Sequence, residues 1–178
     1  MSADSVKLIH CSSERHAPAI LDILNEAIVN STALYEYRPL VSDSMGPWFR
    51  AKEEGGFPVL GMESEAGELM GFATYGTFRT RPAYKYSVEH SVYVQAQHRG
   101  KGVGGALMRE LIRTATEQDL HAMVGGIDAE NAGSIAFHRR LGFEHAGTLR
   151  QVGYKFGRWL DLAFYQLVLA SPAAPTED

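Results

Sequence analysis

The stretch Glu89-His90-Ser91-Val92-Tyr93-Val94-Gln95-Ala96-Gln97-His98-Arg99-Gly100-Lys101-Gly102-Val103-Gly104-Gly105 decides the fold. Its first part, from Ser87 to Gln95, alternates β-branched and aromatic residues with polar ones and reads as a strand. Its last part is rich in glycine. Behind it Val103, Leu107, Leu111 and Ile112 recur on one face of a helix that runs to Gln118. The order is strand, glycine turn, helix. Gly100, Gly102, Gly104 and Gly105 let the backbone turn tightly with no Cβ to keep a ligand away. The unpaired N–H groups of the first helical turn, helped by the helix dipole, then make an anion site, most naturally for phosphate.

Two common phosphate loops are excluded. No Gly-Lys-Ser/Thr stands where a Walker A loop requires it. Gly100, Gly102 and Gly105 do satisfy the bare Gly-x-Gly-x-x-Gly pattern of dinucleotide sites. However, no acidic residue closes a following strand of a βαβ unit, and Asp119 precedes that strand.

Outward from the loop, Val6 to His10 reads as a short strand. Ser12-Ser13-Glu14 caps a helix with Ile20, Ile23, Leu24, Ala27 and Ile28 on one stripe. Residues 30–39 form an irregular connection carrying Tyr35, Tyr37 and Arg38. A second helix starts at Ser42 or Asp43 and carries Trp48 and Phe49 to Gly55-Gly56. Strands are expected at 58–63, 69–78 and 84–95, with a hairpin turn at Glu65-Ala66-Gly67 and a connection at 79–83. After the helix 102–118 come a strand at 121–127, a short helix from near Asn131, and strands 144–156 and 159–169 around Gly157. The order βααβββαβαββ predicts an α/β fold with a mixed central sheet flanked by helices. Residues 1–170 are expected to be one domain, and Ser171 to Asp178 a disordered tail by composition.

Composition excludes several functions. With 17 basic and 21 acidic residues the net charge is −4, so no electrostatic case exists for nucleic acid. No run approaches the ~18 apolar residues of a membrane span, and no signal pattern opens the chain. A single cysteine, Cys11, rules out an internal disulfide and a cysteine zinc cluster; it reads as a semi-buried thiol and a poor nucleophile. The expectation is a soluble cytoplasmic protein without a metal.

Gln97-His98-Arg99-Gly100-Lys101-Gly102 resembles the Gln/Arg-x-x-Gly-x-Gly/Ala pyrophosphate loop of the GNAT-type acyl-CoA N-acetyltransferases. A second segment, Asn131-Ala132-Gly133-Ser134-Ile135-Ala136-Phe137-His138-Arg139-Arg140-Leu141-Gly142-Phe143, is similar to the family's pantetheine-binding segment. Asn131, Ser134 and His138 share one helix face there. The element order also matches the GNAT fold from Val6 to about Leu169. The resemblance implies a mostly antiparallel mixed sheet, splayed between strands 84–95 and 121–127, with acetyl-CoA in the V. It implies cofactor contacts from Val92, Tyr93 and Val94, from Gly100, Lys101, Gly102, Val103, Gly104 and Gly105, and from Asn131 and Ser134. At Gly105 relatives often carry a basic residue, so one phosphate or sugar contact is in doubt.

Acyl transfer to an amine needs a base, a polarised carbonyl and a leaving sulfur. Glu89 is the expected base, and a backbone N–H near Val92 the oxyanion donor. His138 stands where many relatives carry a tyrosine that protonates the thiolate. It is open as acid, second base or packed ring. A narrower resemblance, through Glu89-His90-Ser91-Val92-Tyr93-Val94 and Gln151-Val152-Gly153-Tyr154-Lys155-Phe156-Gly157-Arg158-Trp159-Leu160-Asp161, is to the phosphinothricin and methionine sulfoximine acetyltransferases. It implies acetylation of the α-amine of a small amino-acid analogue that carries a carboxylate. Arg79, Thr80, Arg81 and Pro82 are then substrate residues together with Glu89, His90, Ser91 and, more weakly, Lys155, the two arginines binding the carboxylate. Trp159 and Asp161 are expected to serve packing and a local hydrogen bond. A homodimer with the pocket near the subunit boundary is also implied. Competing readings are an acetyltransferase for polyamines or protein termini, and an acyl-CoA sensor without turnover.

Overall fold

Strands β1 (Lys7–His10), β2 (Val59–Glu63), β3 (Leu69–Thr77), β4 (Ser87–Val94), β5 (Ala122–Asp128), β6 (Glu144–Lys155) and β7 (Arg158–Val168) form one seven-stranded sheet. The computed structural model describes residues 6–177. The strand order is β1-β2-β3-β4-β5-β7-β6, and every neighbouring pair is antiparallel except β4 with β5. The mixed sheet expected from the element order is therefore present.

Helices α1 (Ser13–Asn30) and α2 (Met45–Glu54) pack on one face, α3 (Val103–Glu117) and α4 (Ala132–Arg140) on the other. Ser12 caps α1, its side chain accepting from the Arg15 N–H, and the stripe Ile20, Ile23, Leu24, Ala27 and Ile28 is buried. It meets Val59, Leu69 and Phe72 from the sheet. On the other face Leu107, Met108 and Leu111 of α3 are fully buried against Tyr75, Val88 and Met123. Each such side chain contributes roughly 1.5–3 kcal/mol by leaving water.

The parallel pair is short. Ser87, Val88 and Glu89 lie against Ala122, Met123 and Val124, and pairing stops there. β4 goes on beside β3 as far as Val94, while β5 follows β7 as far as Asp128. The sheet therefore splits into a V whose apex is Glu89 and Val124. β4 itself starts at Ser87, where the alternation of residue types begins, and not at 84, because Pro82–Tyr84 coils into a 3-10 turn. The stretch expected to be a tail begins with ties to the body. Ser171 is buried, its Oγ donates to Leu120 O at 2.6 Å, and its carbonyl lies 2.7 Å from His121 Nδ1.

Candidate active site

Strand periodicity sorts the V's two sides. The Gln95 N–H donates to Met70 O of β3 and the Ser87 carbonyl accepts from Phe78, so odd-numbered residues of β4 turn their backbone groups toward β3. Even-numbered His90, Val92 and Val94 turn theirs into the split. Arg99 Nε already uses one of these, the Val94 carbonyl, at 3.0 Å. Side chains alternate too: Val88, Val92 and Val94 face α3, whereas Tyr93 meets Phe72 on the α1 side. Glu89 shares that second side.

At the wide end of the V, a cavity of about 910 Å³ lies between the β4–α3 loop and α4. Gly100 and Gly102 line it with φ of 74° and 84°, conformations that side chains resist, and a Cβ at either would meet nothing within 4 Å. Gly102 is the N-cap of α3, so the first N–H groups of a 15-residue helix open on the same space. Arg99, Arg109 and Arg140 stand in the wall. His98 Nδ1, also in the wall, is buried without a hydrogen-bond partner among the described residues. A glycine cradle, a helix start, three guanidinium groups and an orphaned nitrogen fit a phosphorylated cofactor. Arg109 was not singled out from the sequence. Its Nη1 lies 3.3 Å from where a Cβ on Gly105 would stand, so it occupies the place of the basic residue missing at 105.

A second cavity of about 220 Å³ surrounds the apex. Glu89, Ser91 and Tyr93 of β4 line it together with Asp128, His138 and residues 32–34. Glu89 is exposed to this space, yet protein walls it closely enough that desolvation raises its carboxyl above the ordinary value. Room comes from two consecutive glycines in β5. A Cβ on Gly126 would stand 3.3 Å from Glu89 Oε1, and one on Gly125 would stand 2.6 Å from His90 Nε2. Sequence reading passed over this pair; glycine inside a strand marks a close approach, and that was the available signal. Asp128 is buried and accepts from Thr32 Oγ1 at 2.6 Å, the Glu130 N–H at 3.0 Å and Arg158 Nη2 at 3.0 Å. Desolvation works to raise its carboxyl, but these hydrogen bonds win and hold it below the usual value. Thr32 is thereby tied down as pocket wall.

The structure brings together Glu89, His90, Ser91, Val92, Tyr93, Asn131, Ser134 and His138 in the apex cavity. Val92, Val94, Gly100, Gly102, Val103, Gly104, Gly105, Asn131 and Ser134 line the larger one. Asn131 also caps α4 by accepting from the Ser134 N–H at 3.0 Å. Other expected residues lie elsewhere. Lys101 is exposed outside both linings. Arg79, Thr80, Arg81 and Pro82 are exposed at the paired end of β4, and Arg79 rests 5.5 Å from the Phe78 ring. Lys155 is buried, and its three protons go to the carbonyls of Ile28, Ser31 and Leu34 at 2.7, 2.9 and 2.6 Å. That ammonium braces the end of α1 and has nothing left for a substrate. Cys11 is inert, its thiol pushed up to about 12 by burial and by Glu63. The Asp161 carboxylate accepts from the Gln151 N–H at 2.8 Å, a local hydrogen bond within the hairpin.

Residues 18–143 match the Acetyltransferase (GNAT) family. The chain is 48% identical over 152 residues to an L-methionine sulfoximine/L-methionine sulfone acetyltransferase of Pseudomonas paraeruginosa, covering 85% of this chain and 88% of that protein. It superposes with a TM-score of 0.98 on a candidate acetyltransferase from Acinetobacter baylyi ADP1, at 52% identity over 100% of this chain and 99% of the other. A phosphinothricin acetyltransferase from Sinorhizobium meliloti, solved in complex with acetyl-CoA, superposes with a TM-score of 0.90 at 35% identity, over 96% and 92% of the two chains. The split sheet, its glycine cradle and these matches agree: the chain belongs to the GNAT family of acetyltransferases.

Proposed function

We propose that the protein transfers the acetyl group of acetyl-CoA to the α-amine of small amino-acid analogues of the methionine sulfoximine, methionine sulfone and phosphinothricin kind. One observation carries the chemistry. A carboxylate of raised pKa, Glu89, stands at the apex of the V, where the strand bordering the cofactor cavity parts from β5 and the amine cavity opens.

Acetyl-CoA supplies the activated acyl group. The N–H groups from Gly100 to Gly105, with Arg109, hold its phosphates, and the free edge of β4 with Asn131 and Ser134 lies along the pantetheine arm. Glu89 accepts the ammonium proton, directly or through a water. The Val92 N–H, turned into the split, polarises the carbonyl where negative charge develops. The cavity's described lining includes no lysine or arginine. Arg79 and Arg81 are therefore assigned to the substrate carboxylate from the subunit boundary of a homodimer. The exposed side chains Phe156, Trp159 and Tyr154 on the β6–β7 hairpin supply the apolar surface for such pairing. The setting is the cytoplasm.

A generic-amine reading has one observation behind it: two carboxylates and no lysine or arginine line the amine cavity. A thiol-release assay with acetyl-CoA decides between them. Methionine sulfoximine, methionine sulfone and phosphinothricin are expected to exceed polyamines in kcat/KM by at least roughly tenfold, the value of one charge-assisted contact. Preference for polyamines would move the assignment to the generic reading, and cofactor binding without turnover to a sensor.

A further inference from the structure

His90 of β4 and His138 of α4 meet across the split with Nε2 to Nε2 at 3.1 Å, both rings buried. With both rings neutral, hydrogen-bond chemistry sets where the protons of this pair lie. His138 Nδ1 lies 2.7 Å from the Ser134 carbonyl, which can only accept, so Nδ1 carries a hydrogen. In the neutral ring Nε2 is then a lone pair. At 3.1 Å from it, His90 Nε2 must be the N–H, since two lone pairs would repel. The remaining atom, His90 Nδ1, is bare, buried and without a partner among the described residues. Glycine at 125 is what lets the rings meet: a Cβ there would lie 2.6 Å from one Nε2 and 3.3 Å from the other.

We propose that His90 is a positioning residue for His138, locking it as the neutral Nδ1–H tautomer with its Nε2 lone pair occupied, so that His138 forms a fixed uncharged wall of the amine cavity and is not a general acid. This deepens the acetyltransferase reading above and takes its mechanistic meaning from it. A neutral His138 in this tautomer has no proton to offer the cavity, because its only N–H points back along its own helix. The departing sulfur then takes its proton from a group other than His138. Burial favours the neutral state of both rings: it lowers His138, and with the neighbouring ring it brings His90 down to about 3. The Ser134 hydrogen bond works to raise His138, but burial outweighs it. Gly125 of β5, Phe137 of α4 and Phe143 lie against the rings, and the other ionisable groups lining the cavity are Glu89 and Tyr93 of β4 and Asp128 of β5.

The test reads tautomers first and turnover second. Imidazole nitrogen NMR on the wild-type protein is expected to show His138 as Nδ1–H and His90 as Nε2–H, neither titrating between about pH 6 and pH 8. His90→Phe keeps a ring but removes the donated N–H. His138 should then gain a titration in that window, and the pH dependence of kcat an added inflection. His90→Gln places an amide N–H near the lost one and should restore the wild-type tautomer signature. A wild-type His138 that is Nε2–H, or that titrates near neutrality, would overturn the proposal even if no variant folds. So would a His90→Phe protein whose His138 resonances match the wild type. These spectra need no substrate, so failure to acetylate amino-acid analogues would sink the function and leave the lock standing.

Discussion

Arg109 carries its guanidinium over Gly105, one helical turn before it, with Nη1 3.3 Å from the position a Cβ at 105 would take. The missing side chain and the arginine are thus one device, placing a cation at the mouth of the glycine cradle. Arg109→Ala should raise KM for acetyl-CoA roughly fivefold, about 1 kcal/mol for an exposed charge contact, with kcat held. Initial rates at saturating amine will show it. An effect on kcat alone would detach Arg109 from the cofactor.

Glu89→Gln keeps size and hydrogen bonding but cannot take a proton. It should lower kcat by on the order of 10²–10⁴ with acetyl-CoA affinity unchanged. Because desolvation raises the Glu89 carboxyl, the wild-type rate should fall as pH drops through that raised value, where the base becomes protonated. The variant should lose this limb and recover partly at high pH, as more of the amine becomes neutral. Steady-state profiles with both proteins decide it.

Gly125 and Gly126 are neighbours that should fail differently, since their absent side chains would point to opposite faces. Gly125→Ala drives a methyl into the histidine pair, 2.6 Å from a ring nitrogen, and should cost about 1–3 kcal/mol of stability. Gly126→Ala meets Glu89 Oε1 at 3.3 Å, a contact that a shift of a few tenths of an ångström relieves. It should keep near-native stability and lose roughly tenfold in kcat through a displaced base. Thermal melts alongside kinetics separate the two.

Asp128 gives a pH-dependent anchor for the pocket wall. Its folded-state pKa is depressed, so its contribution to stability is complete above the unfolded value, about 3.9, and is lost as pH falls through the folded one. Asp128→Asn should therefore melt below the wild type at pH 7, with the gap closing under acid. A gap that persists at about pH 2 would show that packing, not charge, is the anchor.

Trp159→Glu, placed in the exposed apolar surface of the hairpin, should convert a dimer to a monomer at micromolar concentration and raise KM for the amine more than for acetyl-CoA. Sedimentation of both proteins reads the first effect. A wild type with the monomer's mass would remove the subunit-boundary assignment of Arg79 and Arg81.

Much of this architecture was legible in the chain because it is local. The β4–α3 turn announces itself through glycine spacing, and α4 through Asn131 and the Leu141-Gly142-Phe143 return. What escaped is what depends on two distant segments meeting. His90 and His138 are 48 residues apart, and nothing in either neighbourhood states that they share a hydrogen bond. Lys155 looked like a spare cation in sequence; only the fold shows three carbonyls of another element closing around it. Arg79 and Arg81 precede Glu89 closely along the chain, but the 3-10 turn at Pro82–Tyr84 leaves them at the paired end of the strand, away from the split.

The brace at Lys155 also sets an order of events. Residues 32–34, which wall the apex cavity, are made early in synthesis, whereas the ammonium holding Ile28, Ser31 and Leu34 arrives 121 to 127 residues later. Tyr35 lies against Gly153, and Tyr37 donates to Tyr154 O at 2.8 Å, so the same late hairpin receives the whole connection. A nascent chain ending before that hairpin already carries the glycine cradle, Glu89 and the residues that line the apex cavity, but lacks the ammonium that braces the end of α1. The backbone after α1 therefore gains its ammonium brace last, from a hairpin that shares no residue with the lining of the glycine cradle.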